Sequence, residues 1–211
     1  MNEINNWYKL PPSFYTRTDV VQITRDLLGK IVVTNFDETI TAGRIVEAEA
    51  YNGPHDKAAH SFGNRRTKRT EVMYKEGGAA YVYLCYGIHQ MFNIVTNVQD
   101  VPNAILIRAL EPMIGTDTML KRCNKTIHGN DLTRGPGNVA KALGLHTSNT
   151  GMSLQSDELY VADDGLRYKE SEIATTTRIG VDYAGDDALL PYRFIVKNSK
   201  YTSGNKRQNE N

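Results

Sequence analysis

Acidic and aromatic side chains alternate with apolar ones in the stretch RIVEAEAYNGPHDKAAHS, residues 44–61. Its apolar positions predict a buried β-strand, in which residues two apart share a face. The alternation puts Glu47 and Glu49 on one face with Ile45 and Tyr51. A buried carboxylate is costly unless it is paired or protonated. The pattern therefore indicates either an acid that does chemistry, or one that pairs with a basic residue or faces solvent.

Basic and aromatic residues follow within forty positions. The loop SFGNRRTKRTE has four positive charges in five positions, namely Arg65, Arg66, Lys68 and Arg69. Such a patch can bind phosphates, although a solvated loop would look the same. The segment YVYLCYG puts Tyr81 and Tyr83 on one strand face and Tyr86 at a turn. Tyrosines in strands usually pack, yet aromatics, cations and an isolated acid together suit stacking and reaction of an unpaired base.

Three other functions fit parts of this pattern. Glu47 and Glu49 would lie about 7 Å apart, compatible with the ~6.5–9.5 Å of an inverting sugar hydrolase, but neutral sugars do not need the basic loop. His55, Asp56 and His60 could bind a metal by residue type, although their spacing matches no common zinc motif. The tyrosines could serve a nucleic-acid binding module, in which Glu49 would only repel phosphate.

The composition is that of an intracellular globular protein. The chain has 211 residues, 40% of them hydrophobic, and a formal net charge of +1, so local charge matters more than the total. Cys85 and Cys123 form no C-x-x-C pair, which disfavours a disulfide scaffold or structural zinc. No signal pattern and no apolar run of the ~20 residues that a membrane span needs is visible. We expect a cytoplasmic protein, nucleoid-associated in a bacterium, without membrane contact.

The elements that must position these residues can be read from periodicity. A helix is predicted over 18–29, with Thr18 as N-cap and Gly29 as its end. Five strands are predicted between residues 30 and 112, joined by hairpins, with a further strand near residue 195. Helical spacing recurs in MIGTDTMLKRC and in GPGNVAKALGL, where Pro136 lies near the start and Gly144 near the end. The polar tail 199–211 is expected to be disordered.

Five ordered blocks resemble one family. RIVEAEAYNGPHDKAAHSFGNRRTKRTE, YVYLCYGIHQMFNIVTN and AILIRALEP are similar to the central motifs of the alkyladenine (3-methylpurine) DNA glycosylases. RGPGNVAKALGL and TRIGVDYAG are similar to the later blocks of that family, so the resemblance spans about residues 12–197. It implies an α+β fold, a single mixed domain around a curved antiparallel β-sheet with flanking helices, here residues 1–198.

The resemblance also implies which residues act on the glycosidic bond. Glu49 matches the glutamate that activates the attacking water. Arg108 matches the arginine that holds the phosphate of the flipped nucleotide, and Ile179 matches the position whose main-chain carbonyl orients the water. Glu47 matches a position that we interpret as structural.

Other matching positions would bind the base and the duplex. Tyr51, His60 and Tyr83 match the aromatic residues that sandwich the flipped purine, and Asn93 the residue that crowds a guanine 2-amino group. Tyr86 matches the side chain that fills the gap left in the duplex. Contacts with the DNA backbone or groove are implied for Arg65, Thr67 and Met73. Ile88 and His89 depart from the residues expected beside the wedge.

The function that the resemblance implies is a monofunctional DNA glycosylase of base-excision repair. It would flip alkylated or deaminated purines out of duplex DNA and hydrolyse the N-glycosidic bond with a Glu-activated water. No metal and no organic cofactor is implied. The expected partner is duplex DNA containing damaged purines, bound by a monomer without an obligate protein partner. The alternatives remain a nucleic-acid binding module and a sugar hydrolase.

Overall fold

A large antiparallel β-sheet forms the centre of the computed structural model, which describes residues 6–204 and residue 209. Within these residues the strands are β1 Tyr8–Lys9, β2 Ile31–Phe36, β3 Thr39–Tyr51, β4 Ala80–Cys85, β5 His89–Thr96, β6 Asn103–Ile114, β7 Leu159–Asp163, β8 Ile173–Thr176 and β9 Arg193–Val196. Seven strands follow the order β1-β7-β2-β3-β6-β5-β4, and β9 pairs with both β3 and β8. The sheet is open, and long connections join β3 to β4 and β6 to β7.

Few helices accompany the sheet. They are α1 Pro12–Tyr15, α2 Val20–Asp26, α3 Thr116–Cys123 and α4 Pro136–Leu143. The predicted ends of α4 are confirmed, because Pro136 begins it and Gly144 ends it with a φ of +72°. The N-cap prediction for α2 was wrong: Asp19, not Thr18, accepts a hydrogen bond from Gln22 N. No helix within residues 6–204 is long and apolar enough to cross a bilayer.

The predicted fold class is confirmed, since the structure is a single mixed domain built on an antiparallel sheet. The five predicted central strands correspond to β2 to β6. Three strands had no counterpart in the sequence reading, namely β1, β7 and β8. They are short and carry polar residues, so periodicity gives little signal for them.

Strand β3 carries both glutamates, and at those two positions it lies between strands β6 and β9. Glu47 and Glu49 are in register with Ala109 and Leu106 of β6 on one side, and with β9 on the other. A bulge shifts the register between Ile45 and Glu47. Ile45 therefore joins the main core with Val46, and its predicted place on the face of the acids was wrong.

The start of the predicted disordered tail, residues 199–211, is packed against the rest of the protein. Tyr201 is buried in the main core, and Ser203 is buried against β3. These contacts hold residues 201–204 in place, because they satisfy polar groups and bury apolar surface. The polar composition of the segment gives no sign of such contacts. Residues 205–208 and 210–211 of the predicted tail lie outside the described residues.

Candidate active site

A cleft of about 710 Å³ opens at the end of β3. It brings together nearly all the residues that the sequence singles out, and those that line it are Tyr51, His60, Arg65, Thr67, Met73, Tyr83, Tyr86, Asn93, Arg108 and Ile179. Glu49 lies beneath this lining and is fully buried. The volume falls within the range of about 300–1,000 Å³ that is usual for small-molecule sites.

Glu49 is fixed by three of its neighbours. Its Oε2 accepts a hydrogen bond of 2.9 Å from the Tyr51 hydroxyl, and its Oε1 accepts one of 2.9 Å from the main-chain N–H of Ile179. Arg108 Nη1 lies 3.3 Å from the same Oε1. A carboxylate has about four acceptor positions, so these contacts leave Oε2 able to accept one more hydrogen bond. The acid is held rigidly at the floor of the cleft.

Glu47 is part of a buried ionic cluster with Arg108, Arg193 and Ser203. Its Oε1 accepts hydrogen bonds of 2.8 Å from the Nε of each arginine and of 2.7 Å from the Ser203 hydroxyl. Its Oε2 accepts one of 2.5 Å from the main-chain N–H of Ser203. Burial raises the pKa of the Glu47 carboxyl, but the two arginines and Ser203 outweigh it and lower that pKa below its ordinary value. This agrees with the structural role that we inferred for Glu47.

Aromatic rings form one wall of the cleft. The His60 and Tyr83 rings meet edge to face with centroids 4.6 Å apart, and His60 Nδ1 lies 2.8 Å from the Tyr81 hydroxyl. A planar base has no room between His60 and Tyr83. The structure therefore groups these two rings as one surface, with Tyr51 as a separate part of the lining. Tyr81, which sequence reasoning did not assign, fixes the His60 ring.

The His60 imidazole is neutral near pH 7. Burial, together with the positive charges of Arg69 and Arg65, lowers its pKa to about 4. The guanidinium carbon of Arg69 also lies 4.8 Å from the centroid of the Tyr83 ring. The aromatic wall is thus uncharged, and the cations lie at its edge.

A second buried ion pair supports Tyr51 from behind. Arg178 binds Asp56 through both guanidinium nitrogens, donates to the main-chain oxygen of Ala50, and lies 4.9 Å from the centroid of the Tyr51 ring. Asp56 also accepts hydrogen bonds from the main-chain N–H groups of Asn52 and Ala58. The pair therefore holds the loop from Tyr51 towards His60. No group of His, Cys, Asp or Glu within the described chain is arranged to hold a metal ion.

Tyr86 projects from the β4–β5 hairpin at the mouth of the cleft. Its side chain is 91% exposed, and it adopts a φ of +49°, followed by Gly87 at +73°. Such a φ is unfavourable for a bulky residue, and a hairpin turn with two positive φ values is what imposes it. Leu84 and Ile88 on the same hairpin are also exposed. The hairpin thus presents an apolar tip to solvent.

Asn93 lies in the floor of the cleft on β5 and is almost fully buried. Its Nδ2 donates hydrogen bonds of 3.2 Å to the main-chain oxygens of Tyr81 and Met91. These two bonds fix the side chain, so it can limit the shape of any base in the cleft.

The basic loop is less positive than its sequence suggests. Arg66 forms ion pairs with Glu71 and with Asp100, so it is not available as a free cation. Arg65 is exposed at the rim of the cleft, as is Thr67. Met73 is 2% exposed and packs with the core beneath the cleft, so its side chain would have to move to reach a DNA backbone or groove.

Several functional candidates escaped sequence reasoning. They are Asp56, Tyr81, Arg178, Arg193 and Ser203, which hold the lining residues in place. Arg178 was visible in the motif TRIGVDYAG but had no assigned role. Tyr81 and Asp56 were noted in the sequence for other roles, as a strand tyrosine and as a possible metal ligand. Their roles here, like those of Arg193 and Ser203, depend on partners elsewhere in the chain.

Comparisons with known proteins identify the family of this chain. The model of the family described as methylpurine-DNA glycosylase matches residues 13–200. A curated protein of Clostridium novyi (strain NT) is 43% identical over 202 residues, which cover 92% of this chain and 98% of the relative. One of Bacillus cereus (strain G9842) is 44% identical over 201 residues, with the same shares covered. Both relatives carry the name "Putative 3-methyladenine DNA glycosylase". The chain therefore belongs to the methylpurine-DNA glycosylase family, a family of DNA glycosylases.

Proposed function

We propose that this DNA glycosylase flips alkylated or deaminated purines out of duplex DNA and hydrolyses their N-glycosidic bond with a water activated by Glu49. One observation carries the proposal. The Glu49 carboxylate is buried beneath an aromatic cleft and is hydrogen-bonded to the cleft residues Tyr51 and Ile179. A carboxylate so placed can act on a purine nucleoside that has left the duplex.

Base flipping is required because the glycosidic bond is out of reach in a stacked helix, and it costs a few kcal/mol. Stacking on aromatic rings returns about 1–3 kcal/mol per base. Tyr51 and the His60–Tyr83 surface supply the rings. Since the His60 imidazole is neutral, it does not repel the positive charge of an alkylated purine, which the electron-rich rings attract.

The chemical step uses Glu49 as a general base. The carboxylate accepts a proton from water, the water oxygen forms a bond to the sugar C1′, and the bond from C1′ to the base nitrogen breaks with its electron pair leaving on the base. The negative carboxylate also stabilises the positive charge that develops on the sugar. Arg108 would hold the phosphate of the flipped nucleotide, and the main chain at Ile179 would orient the water. The step as proposed needs no metal and no organic cofactor.

The duplex would approach the rim of the cleft. Tyr86 is exposed there and can fill the space that the flipped nucleotide leaves. Arg65 and Thr67 lie exposed on the same rim and can contact phosphates. The substrate is then duplex DNA with a damaged purine, bound by a single protein chain.

The two alternative functions find less support. A sugar hydrolase would need Glu47 as the second acid, but both of its oxygens are held by buried partners. A pure binding module would gain nothing from Glu49, because burying a carboxylate beneath a binding surface is costly and repels phosphate.

Incubation of the purified protein with lesion-containing duplexes tests the proposal. The duplexes would carry 3-methyladenine, 7-methylguanine, 1,N6-ethenoadenine or hypoxanthine, and an undamaged duplex is the control. We expect release of the free base from at least one lesion, measured by mass spectrometry, and strand cleavage only after alkaline treatment. No base release from any lesion would contradict the proposed function. Strand cleavage without alkali would contradict monofunctional hydrolysis.

A further inference from the structure

After β9 the chain runs through a short segment, residues 201–204, here called the C-terminal strap, in which two side chains are buried. Tyr201 and Ser203 are about 5% and 6% exposed, although the segment is polar. The match to the family model covers residues 13–200 and stops just before the strap. The contacts of the strap nevertheless reach the centre of the candidate active site.

Ser203 joins Glu47 to Arg108. Its main-chain N–H donates to Glu47 Oε2 at 2.5 Å, and its hydroxyl donates to Glu47 Oε1 at 2.7 Å. The same hydroxyl accepts a hydrogen bond of 3.0 Å from Arg108 Nη2. A hydroxyl can donate one hydrogen bond and accept others, so Ser203 satisfies both groups at once.

The rigid geometry of Arg108 links its contact with Ser203 to its position relative to Glu49. A guanidinium is planar and rigid. Its Nε is held by Glu47 and its Nη2 by Ser203, so one edge of the group is fixed. The direction of Nη1, which lies 3.3 Å from Glu49 Oε1, follows from that edge.

The strap also approaches the other group that fixes the catalytic acid. Gly204 adopts a φ of +82°, and a methyl group added to it would lie 3.0 Å from Cδ1 of Ile179. Ile179 donates its main-chain N–H to Glu49. The strap thus binds Arg108 directly and lies next to the side chain of Ile179.

We propose that Ser203 is a positioning residue of the glycosylase reaction: the C-terminal strap sets the orientation of Arg108 against Glu49 and so controls the rate of bond cleavage. This inference rests on the proposed function. It differs from a role in DNA binding, because Ser203 is buried and lies beneath the cleft.

The test compares Ser203→Ala with Ser199→Ala. The first variant removes the hydroxyl that binds Arg108 and Glu47, and the second removes a hydroxyl just before the strap. Two quantities are measured for each variant at a temperature where it is folded by circular dichroism: the single-turnover rate constant for base release, and the Kd for a duplex with a stable abasic-site analogue. Ser203→Thr, which restores the hydroxyl, is measured in the same way.

We expect Ser203→Ala to lower the rate constant at least about tenfold, because the variant loses the hydroxyl's hydrogen bonds to two charged groups, Glu47 and Arg108. Its Kd should stay within about twofold of the original value, and Ser199→Ala should change neither quantity. A rate constant equal to that of the unmodified protein would overturn the inference. A rate constant and an affinity that fall together would also overturn it, since Ser203 would then act on DNA binding and not on bond cleavage alone. If the unmodified protein releases no base from any lesion, the proposed function itself fails.

Discussion

Replacing Glu47 with glutamine removes the carboxylate that Arg108 and Arg193 share in the ionic cluster. The substitution keeps the shape of the side chain but leaves two buried guanidinium groups without their shared anion. The amide group of glutamine would also replace the carboxylate that accepts from four donors, which are the Nε of each arginine and the N–H and hydroxyl of Ser203. One of its ends is a donor itself, and the other is an uncharged oxygen. Removing one partner of a buried ion pair lowers the free energy of unfolding by about 3–5 kcal/mol. For a chain of this size that corresponds to a fall in Tm of roughly 6–20 °C.

Urea unfolding at pH 7 measures this change, with Glu76→Gln on the surface as the matched control. The control should change the free energy of unfolding by less than about 0.5 kcal/mol. Because the pKa of Glu47 is lowered in the folded state, its contribution is full above its unfolded pKa and is lost as pH falls through the folded pKa. The difference between the original protein and Glu47→Gln should therefore shrink in acid. Equal stability at pH 7, or a difference that grows in acid, would refute the reasoning.

Three further outcomes follow from the cleft and its rim. Tyr86→Ser should lower the rate of excision about tenfold for a lesion in a stable base pair and less for the same lesion opposite a mismatch, because the Tyr86 side chain stabilises the extruded state. Equal losses of rate in both contexts would argue against this role of Tyr86. Arg65→Ala should reduce the slope of log Kd against log salt concentration by about 1 in titrations with a lesion duplex, whereas the control Lys121→Ala on α3 should leave that slope unchanged. An unchanged slope for Arg65→Ala would show that Arg65 does not contact a phosphate. The imidazole of His60 should titrate by NMR with a pKa of about 4, so that it is neutral above pH 5; a pKa near 6.5 would show that burial and the neighbouring arginines do not act as described.

Local pattern was enough to predict the centre of the sheet. The β-branched and aromatic runs of β2 to β6 and the caps of α4 depend on neighbours in sequence, so they could be read directly. Ile45 was misplaced because a bulge adds one residue to β3, which shifts the alternation of faces without any change of composition. Strand β8 was missed because it has only four residues, two of them threonines, which is too short a run for an alternation to be read.

The motifs identified the lining of the cleft but not the groups that hold it. Arg178 and Asp56 are 122 residues apart, and Ser203 is 156 residues from Glu47. A single sequence gives no signal for pairs at such separations. The charge of Arg66 was overestimated for the same reason, since Asp100 lies on a different loop.

The most direct test is single-turnover excision by Glu49→Gln, measured beside its binding to the same lesion duplex. Glutamine keeps the size of the side chain and can still accept the hydrogen bond from Ile179 N–H, but it loses the charge that faces Arg108 and cannot take a proton from water. We expect the rate constant to fall by about 10²–10⁴-fold, with lesion-duplex affinity retained within a few-fold. A variant that excises the base at a rate close to that of the unmodified protein would show that Glu49 is not the general base.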